Sequence, residues 1–348
     1  MLIETLDSSL SVLTLQLLFA LGLGVVFGAC AQASRFCLRR AIAAEDGSNA
    51  SAAAVWITAL AASVGGFAVA QGAGLVAVAD HRLQSAELPI VAILIGGLLF
   101  GAGMVLTRGC VSRLTVLSAT GNLRAIMVLA VFALVAHASL KGVLAPVRTS
   151  IGSFSIDIAS GTLTQSPLIA VVVSIALFGL AVFLARKSGT RLTHLGFGVL
   201  IGLVAVAGWM TTSILLMDEF DPLPVQSAAF TLPWSDTLFW FVAATSIPAG
   251  FGVGFVGGVL TGSYLSAALR GELALQSFET PAQTLRYGTG GVFMGIGGVL
   301  AGGCTVGAGL SGGAMLSVSA LIALASIVTG ALIMRHLLIP RATPQVAV

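Results

Sequence analysis

Long apolar stretches constrain this chain more than any other sequence feature. Each is close to or above the roughly 20 residues that an α-helix needs to cross the hydrocarbon core of a bilayer. Only 8% of the 348 residues are charged, against roughly 25% in soluble domains, so a water-soluble fold could not cover its surface with polar side chains. The sequence therefore predicts an all-α polytopic membrane protein. The stretches are residues 11–30, 52–79, 122–144, 167–185, 195–217 and 237–261.

The first apolar stretch, residues 11–30, is predicted to be a retained span and not a cleaved signal peptide. It follows the acidic residues Glu4 and Asp7, no basic residue precedes Arg35, and no small-residue cleavage site stands out. The net charge of +3 is too small and too dispersed for nucleic-acid binding. We therefore expect no nucleic acid partner.

Lys and Arg in short loops predict the orientation, because short cytoplasmic loops carry the excess of basic residues. We place the basic clusters at residues 35–40, 186–191 and 335–341 in the cytoplasm, and the acidic residues 217–234 in the periplasm. About nine crossings satisfy this arrangement. The expected location is a bacterial inner membrane, with the N-terminus periplasmic and the C-terminus cytoplasmic.

An internal repeat is the most informative pattern. Residues 96–110 align without a gap on residues 290–304, with eight of fifteen positions identical and a shared Gly-Cys at the end. A weaker similarity pairs residues 22–28 with 252–258 and sets Cys37 opposite Ala267. We predict one transmembrane transport domain, residues 1–348, built from two pseudo-symmetric repeats at approximately residues 1–150 and 167–348.

The predicted topology gives the two repeat pairs different orientations. The helices that end at Cys110 and Cys304 run in opposite directions, as in transporters that place their site between inverted repeats. The pair formed by residues 11–30 and 237–258 runs parallel, which conflicts with full inversion. We attribute the conflict to residues 262–285, whose polarity suggests a partial or re-entrant crossing.

The segments after the two Gly-Cys pairs are too polar and too rich in glycine to be ordinary lipid-facing helices. They are residues 111–115 and 305–313. Bare backbone inside a bilayer is tolerated only where protein or a water-filled cavity surrounds it. We therefore expect short re-entrant half-helices that meet at the waist of an hourglass. The Gly-x3-Gly spacings nearby indicate only close helix packing.

Three short motifs occur in order along nearly the whole chain. They are QASRFC at residues 32–37, GAGMVLTRGC at residues 101–110 and LAGGCTVGAGLSG at residues 300–312. On these motifs the sequence resembles the YeeE/YedE sulfur transport family. The resemblance implies an hourglass of transmembrane and short broken helices that takes up thiosulfate past three cysteines.

Carried over by motif, the three cysteines are Cys37, Cys110 and Cys304. Some relatives work beside, or fused to, a small cytosolic TusA-like sulfur-carrier protein, which the resemblance makes a candidate partner. We expect no such fusion here, because only a short tail follows residue 339.

Thiol chemistry suits a soft anion independently of the resemblance. Thiosulfate has a polarisable terminal sulfur, and a thiol is a weak donor with a soft acceptor sulfur. Thiols kept protonated by apolar burial would contact that sulfur weakly enough to allow release, as conduction requires. Helix N-termini after Cys110 and Cys304 would add N–H groups for an anion. The predicted substrate path comprises Cys37, Cys110, Cys304, Arg108, Arg113, Gly109, Gly303 and Thr305.

Other polar residues near the path have two interpretations each. Arg108 and Arg113 either draw the anion toward the cytoplasmic mouth or snorkel to the interface as topology anchors. His137 and Lys141 either face a vestibule or snorkel from the end of their span. Cys30 matches no motif, and we interpret it as a packing residue.

A competing function is a membrane thiol-redox protein in which Cys110 and Cys304 cycle through a disulfide. The sequence has no Cys-x-x-Cys motif and no Gly-Lys-Ser/Thr phosphate loop, so redox cycling and ATP hydrolysis are disfavoured. We expect no enzyme activity, cofactor or metal. No Asp or Glu lies within a confident span, which favours channel-like transport drained by cytosolic consumption. Sulfide, a selenium analogue or another sulfur oxyanion stays open as the substrate.

Overall fold

The computed structural model describes residues 11–78, 81–164, 166–216 and 224–338. Several sequence-based predictions concern positions outside these ranges. They are the predictions for the N-terminal residues Glu4 and Asp7, for the acidic residues Asp218, Glu219 and Asp221, and for Arg341 and the tail that follows residue 339.

Helices dominate the described part of the chain, and its only strands are two short ones. Strands β1 (Glu87–Leu88) and β2 (Ile156–Asp157) pair antiparallel. Short non-α segments lie at Arg82–Gln84 (3-10 helix) and at Thr211–Leu215 and Gly307–Gly312 (π-helix). The helices are α1 (Val12–Ser34), α2 (Leu38–Ala43), α3 (Asn49–Gly72), α4 (Ile90–Leu106), α5 (Val111–Ala119), α6 (Leu123–Lys141), α7 (Ala145–Gly152), α8 (Pro167–Ser188), α9 (Leu192–Met210), α10 (Thr231–Val242), α11 (Phe251–Leu269), α12 (Pro281–Leu300) and α13 (Val318–Leu338).

Eight helical segments of the described residues are long and apolar enough to cross a membrane. They contain α1, α3, α4, α6, α8, α9, α11 and α13. Helix α12, with 20 residues, has a sufficient length, but polar residues such as Gln283 and Arg286 in its first turns lower its hydropathy. The prediction of an all-α polytopic membrane protein is therefore confirmed.

The structure corrects the prediction of one span over residues 237–261. Helix α10 ends at Val242, and α11 begins only at Phe251. The two helices are separated by residues 243–250, whose non-helical backbone includes Pro248. A proline lacks an N–H and disfavours helical backbone in the residue before it, so an apolar run can break here without a charged side chain.

The prediction of a partial crossing over residues 262–285 is wrong. Residues 262–269 complete α11, residues 271–280 form a non-helical connection, and α12 begins at Pro281. The connection is held by an ion pair of 2.9 Å between Glu279 and Arg124 in the first turn of α6. The polarity of the segment thus reflects a loop.

Helices α1 and α11 pack in parallel through backbone-to-backbone contacts. A Cβ added at Gly254, Gly258 or Gly262 would meet the backbone of Leu17, Leu21 or Val25, respectively. The contacts advance along both helices together, so the helices run in the same direction. Small residues permit such close approach in membrane helices, and this packing accounts for the weak similarity between residues 22–28 and 252–258.

Helices α4 and α12 pack antiparallel. Gly96 contacts Ala301 near the start of α4, whereas Gly103 contacts Gly290 near its end. This opposite direction is the relation that we predicted for the helices preceding Cys110 and Cys304. The segments that follow the two helices turn back and meet, because Thr305 lies beside the Cys110 sulfur.

Candidate functional site

The three cysteines of the motifs lie at breaks between helices. Cys37 is the N-cap of α2, Cys110 is the N-cap of α5, and Cys304 lies between α12 and the π-helical segment Gly307–Gly312. Their exposed fractions are 5%, 1% and 0%. Each thiol is therefore buried where the backbone changes direction.

The thiols of Cys37 and Cys110 are neighbours, with their sulfur atoms 3.9 Å apart. The Cys110 sulfur also lies 3.2 Å from the Ser112 hydroxyl and next to the side chain of Thr305. Cys304 accepts a hydrogen bond of 3.4 Å from the Gly307 N–H. All four cysteines of the chain are free thiols, so the cluster offers soft, reduced sulfur.

A large cavity, which we call the Trp209 cavity, approaches the cluster from one end. Its volume is about 740 Å³. It reaches Gly303 and Gly307, the residues that flank the loop carrying Cys304. Its lining includes His81, Arg82, Trp209, Thr231, Gly303 and Ser311.

The wall of the Trp209 cavity contains a fixed positive charge and a hydrogen-bonded indole. Arg82 donates a hydrogen bond of 2.8 Å to the Gly302 carbonyl, which holds the guanidinium beside the segment leading to Cys304. The Trp209 indole N–H donates to the Ser311 carbonyl at 3.1 Å. An arginine stays charged at any physiological pH, so this cavity presents a permanent positive charge.

His81 lies next to that charge but is itself neutral. Its burial, together with the positive charge of Arg82, lowers the pKa of the imidazole to about 4. Its Nδ1 accepts a hydrogen bond of 3.2 Å from the Leu83 N–H, which requires an unprotonated nitrogen. The ring packs edge-on against Trp209, with centroids 4.9 Å apart.

A smaller cavity, which we call the arginine cavity, opens near the other end of α4. Its volume is about 150 Å³, and Cys37 forms part of its wall. Glu45 lies 3.1 Å from Arg39 and 3.9 Å from Arg108, and Asp46 is also nearby. Arginines outnumber these acids, so the cavity is positively charged. The arginines are Arg35, Arg39, Arg40, Arg108 and Arg113.

The structure brings most of the predicted path residues together. Arg108 and Arg113 line the arginine cavity, and Arg113 donates to the Gln32 amide oxygen at 3.4 Å. Gly109 packs against Leu114 just before Cys110. Gly303 lines the Trp209 cavity, and Thr305 is 1% exposed beside Cys110.

Three residues discussed from the sequence line neither cavity. Cys30 is buried in the same apolar core cluster that contains the other three cysteines. His137 stacks on Phe239, with centroids 3.9 Å apart, and its Nδ1 lies 3.0 Å from the Ser235 hydroxyl. Lys141 is exposed at the end of α6.

Sequence reasoning missed the walls of the Trp209 cavity. Arg82, Trp209 and Thr231 come from three distant parts of the chain, and none belongs to a motif that we recognised. A signal existed for Thr231, because it follows the sequence Gln226–Phe230, which resembles the motif before Cys37.

Eight apolar segments, two positively charged cavities and a buried thiol cluster define a polytopic helical membrane protein. The model of the sulphur transport family matches residues 33–333, and the chain belongs to this family. The resemblance on the three motifs is thereby confirmed. A transport family also agrees with the prediction that the chain is not an enzyme.

Two relatives named as thiosulfate transporters are similar over most of the chain. The thiosulfate transporter TsuA of Spirochaeta thermophila is 28% identical over 244 residues, which is 65% of this chain and 71% of the relative. The thiosulfate transporter TsuA of Escherichia coli is 28% identical over 270 residues, which is 70% of this chain and 72% of the relative.

Proposed function

We propose that this protein takes up thiosulfate across a bacterial inner membrane through a narrow waist lined by protonated thiols. The observation that carries the proposal is the placement of three buried free thiols between two positively charged cavities near opposite ends of α4. The names of the two relatives support thiosulfate as the substrate.

The thiols suit the terminal sulfur of thiosulfate. An S–H group is a weak donor, and its sulfur is a soft acceptor, so contacts with a polarisable sulfur hold the substrate without trapping it. Conduction needs binding that is favourable enough to admit the ion and weak enough to release it. Cys304, Cys110 and Cys37 then form successive contacts, with Gly109, Gly303 and Thr305 shaping the passage.

The arginines suit the charge of thiosulfate. Arg82 attracts the dianion into the Trp209 cavity, which we assign to the periplasmic side. Arg108 and Arg113, with the arginines around Cys37, receive it at the cytoplasmic mouth, so these two residues act on the substrate in addition to anchoring the topology. Clefts lined by one sign of charge raise the local concentration of the opposite ion.

We propose channel-like transport in which cytosolic consumption maintains the inward gradient. A cytosolic sulfur carrier of the TusA type would remove the substrate at the arginine cavity. We further propose that the two inverted repeats form an hourglass with a periplasmic N-terminus and a cytoplasmic C-terminus. In this orientation the Trp209 cavity faces the periplasm and the arginine cavity faces the cytoplasm, so thiosulfate moves inward.

Growth on a single sulfur source tests the substrate. In a bacterium that lacks its own importers for thiosulfate and sulfate, this chain should restore growth on thiosulfate and should not restore it on sulfate. Sulfate has no soft sulfur for the thiols to contact. Rescue on sulfate alone would overturn the proposal.

His81 should not make uptake pH-dependent in the physiological range. Because its pKa is lowered to about 4, the imidazole stays neutral as the external pH falls from about 8 to about 5.5, whereas an ordinary histidine would become charged near pH 6.5. We expect wild type and His81→Asn to have pH–uptake profiles of the same shape over this range. An acid-stimulated component that is lost in His81→Asn would show that His81 titrates at an ordinary pKa.

The redox alternative would now use a different pair of cysteines. The 3.9 Å separation favours Cys37 with Cys110 as the pair that could form a disulfide. A redox protein of this kind would need an oxidant to cycle. Thiosulfate uptake that is equal under reducing, oxygen-free conditions and in air would support transport, and redox-dependent activity without uptake would support the alternative.

A further inference from the structure

The register that aligns Cys110 with Cys304 also aligns the first family motif with a second, unrecognised segment. In this register Gln32 corresponds to Gln226, Phe36 to Phe230, and Cys37 to Thr231. Cys37 immediately precedes the short helix α2, and Thr231 is the first residue of α10. The two segments therefore match in sequence register and in their position at the start of a helix.

The two related phenylalanines converge on one aromatic ring. Phe36 and Phe230 both contact Phe27, with centroid distances of 6.3 Å and 5.4 Å. They are 3% and 0% exposed. The residue after each phenylalanine, Cys37 in one segment and Thr231 in the other, is thus carried to the central buried region from opposite sides.

The Thr231 hydroxyl is buried and has no hydrogen-bond partner among the described residues. The residue is 7% exposed and lines the Trp209 cavity. Six other buried threonines of the described chain donate their hydroxyls to backbone carbonyls; Thr58, for example, donates to the Ala54 carbonyl at 2.7 Å. Buried polar groups in native proteins nearly always have a partner, from the protein, water or a ligand.

We propose that Thr231 is a fourth substrate contact, whose hydroxyl donates to an oxygen of the anion in the Trp209 cavity. This inference rests on the proposed function and deepens it. A hydroxyl is a stronger donor to sulfonate-like oxygens than a thiol, and the positive end of the α10 dipole lies beside it. The two related positions then contact the substrate at different points of its path: Thr231 through an oxygen of the anion and Cys37 through its terminal sulfur.

Substitutions at Thr231 test the contact through the concentration of thiosulfate that half-saturates uptake. Thr231→Val should raise it about tenfold, the effect expected when one hydrogen bond to a charged group is lost, and Thr231→Ser should stay near wild type. Thr237→Val is the matched control on the same helix, because the Thr237 hydroxyl already donates to the Pro233 carbonyl. It should behave as wild type.

A labelling experiment keeps the inference testable if Thr231→Val does not fold. The four native cysteines are first replaced by serine, and Thr231→Cys is then introduced. This cysteine should react with a membrane-impermeant maleimide added on the side of the membrane to which the Trp209 cavity opens. Absence of labelling in the folded protein, or equal half-saturation in wild type and Thr231→Val, would overturn the role of Thr231. Failure of the wild type to take up thiosulfate would instead overturn the proposed function.

Discussion

Replacing Cys110 or Cys304 with serine is expected to lower thiosulfate uptake at least roughly tenfold, the change that about 1.4 kcal/mol of lost interaction produces. Serine nearly preserves the volume of cysteine, so the passage should keep its shape. What changes is the contacting atom, because a hydroxyl oxygen is hard and a thiol sulfur is soft and polarisable. Initial rates of uptake of labelled thiosulfate into cells, normalised to protein in the membrane, measure the effect.

Cys30→Ser provides the control for this substitution. Cys30 is buried to the same extent as Cys37, with 5% exposure for each. Its thiol makes no hydrogen bond to the other cysteines of the described residues, whereas the Cys110 sulfur lies 3.9 Å from that of Cys37. Replacement of Cys30 should leave uptake unchanged. If Cys30→Ser impaired uptake as strongly as Cys110→Ser, the effect would come from disturbed packing, and the thiols would have no special role.

Replacing Gly258 with alanine is expected to destabilise the protein, because the added Cβ would overlap the carbonyl oxygen of Leu21. It would also lie 2.9 Å from the Cα of Gly24. Backbone atoms cannot rotate away as a side chain can, so α1 and α11 would have to separate. Overpacking typically costs about 1–3 kcal/mol, and we expect the upper end of this range for the free energy of unfolding in mild detergent.

The neighbouring residue Gly257 makes this prediction specific. A Cβ added at Gly257 meets nothing within 4 Å, so Gly257→Ala makes the same chemical change on the same helix without a clash. The free energy of unfolding of Gly257→Ala should be at least as large as that of the wild type. Equal destabilisation by the two substitutions would mean that helix propensity or lipid contact, and not the α1–α11 interface, determines the loss.

The bounds of a span could be predicted from the sequence where the apolar run and the helix end at the same residues. The runs at residues 122–144 and 167–185 match α6 and α8 closely, because loops with charged or turn-forming residues bound them. Hydropathy failed at residues 243–250, where the chain leaves the helical conformation without becoming strongly polar. It also failed at α12, whose first turns are polar although the helix packs against α4 over its length.

The three cysteines of the candidate site were predicted from different kinds of sequence evidence. Cys110 and Cys304 follow from the internal repeat, whereas Cys37 depended on family resemblance. The 3.9 Å contact between Cys37 and Cys110 could not be predicted, because it depends on how α1, α2 and α5 pack in three dimensions.

Thr231 was missed for a different physical reason. The glycines shared by residues 22–28 and 252–258 suggested a repeat, but these glycines belong to two helices that pack directly against each other. Close packing favours glycine in both helices, so the two glycine patterns are similar without being related repeats. Aligning the chain on these glycines sets Cys37 opposite Ala267 and hides the alignment of Cys37 with Thr231. The more informative match has only two identities in six residues, Gln32 with Gln226 and Phe36 with Phe230.

Uptake into liposomes that contain only the purified protein tests the thiol waist most directly. With no ATP, equal potassium on both sides and a potassium ionophore that compensates the charge of each entering dianion, labelled thiosulfate should enter until its concentrations inside and outside are equal, and labelled sulfate should stay outside. The Cys110→Ser, Cys304→Ser double variant should remove the uptake of thiosulfate. Equal rates for thiosulfate and sulfate in the wild type, or undiminished thiosulfate uptake by the double variant, would contradict the account.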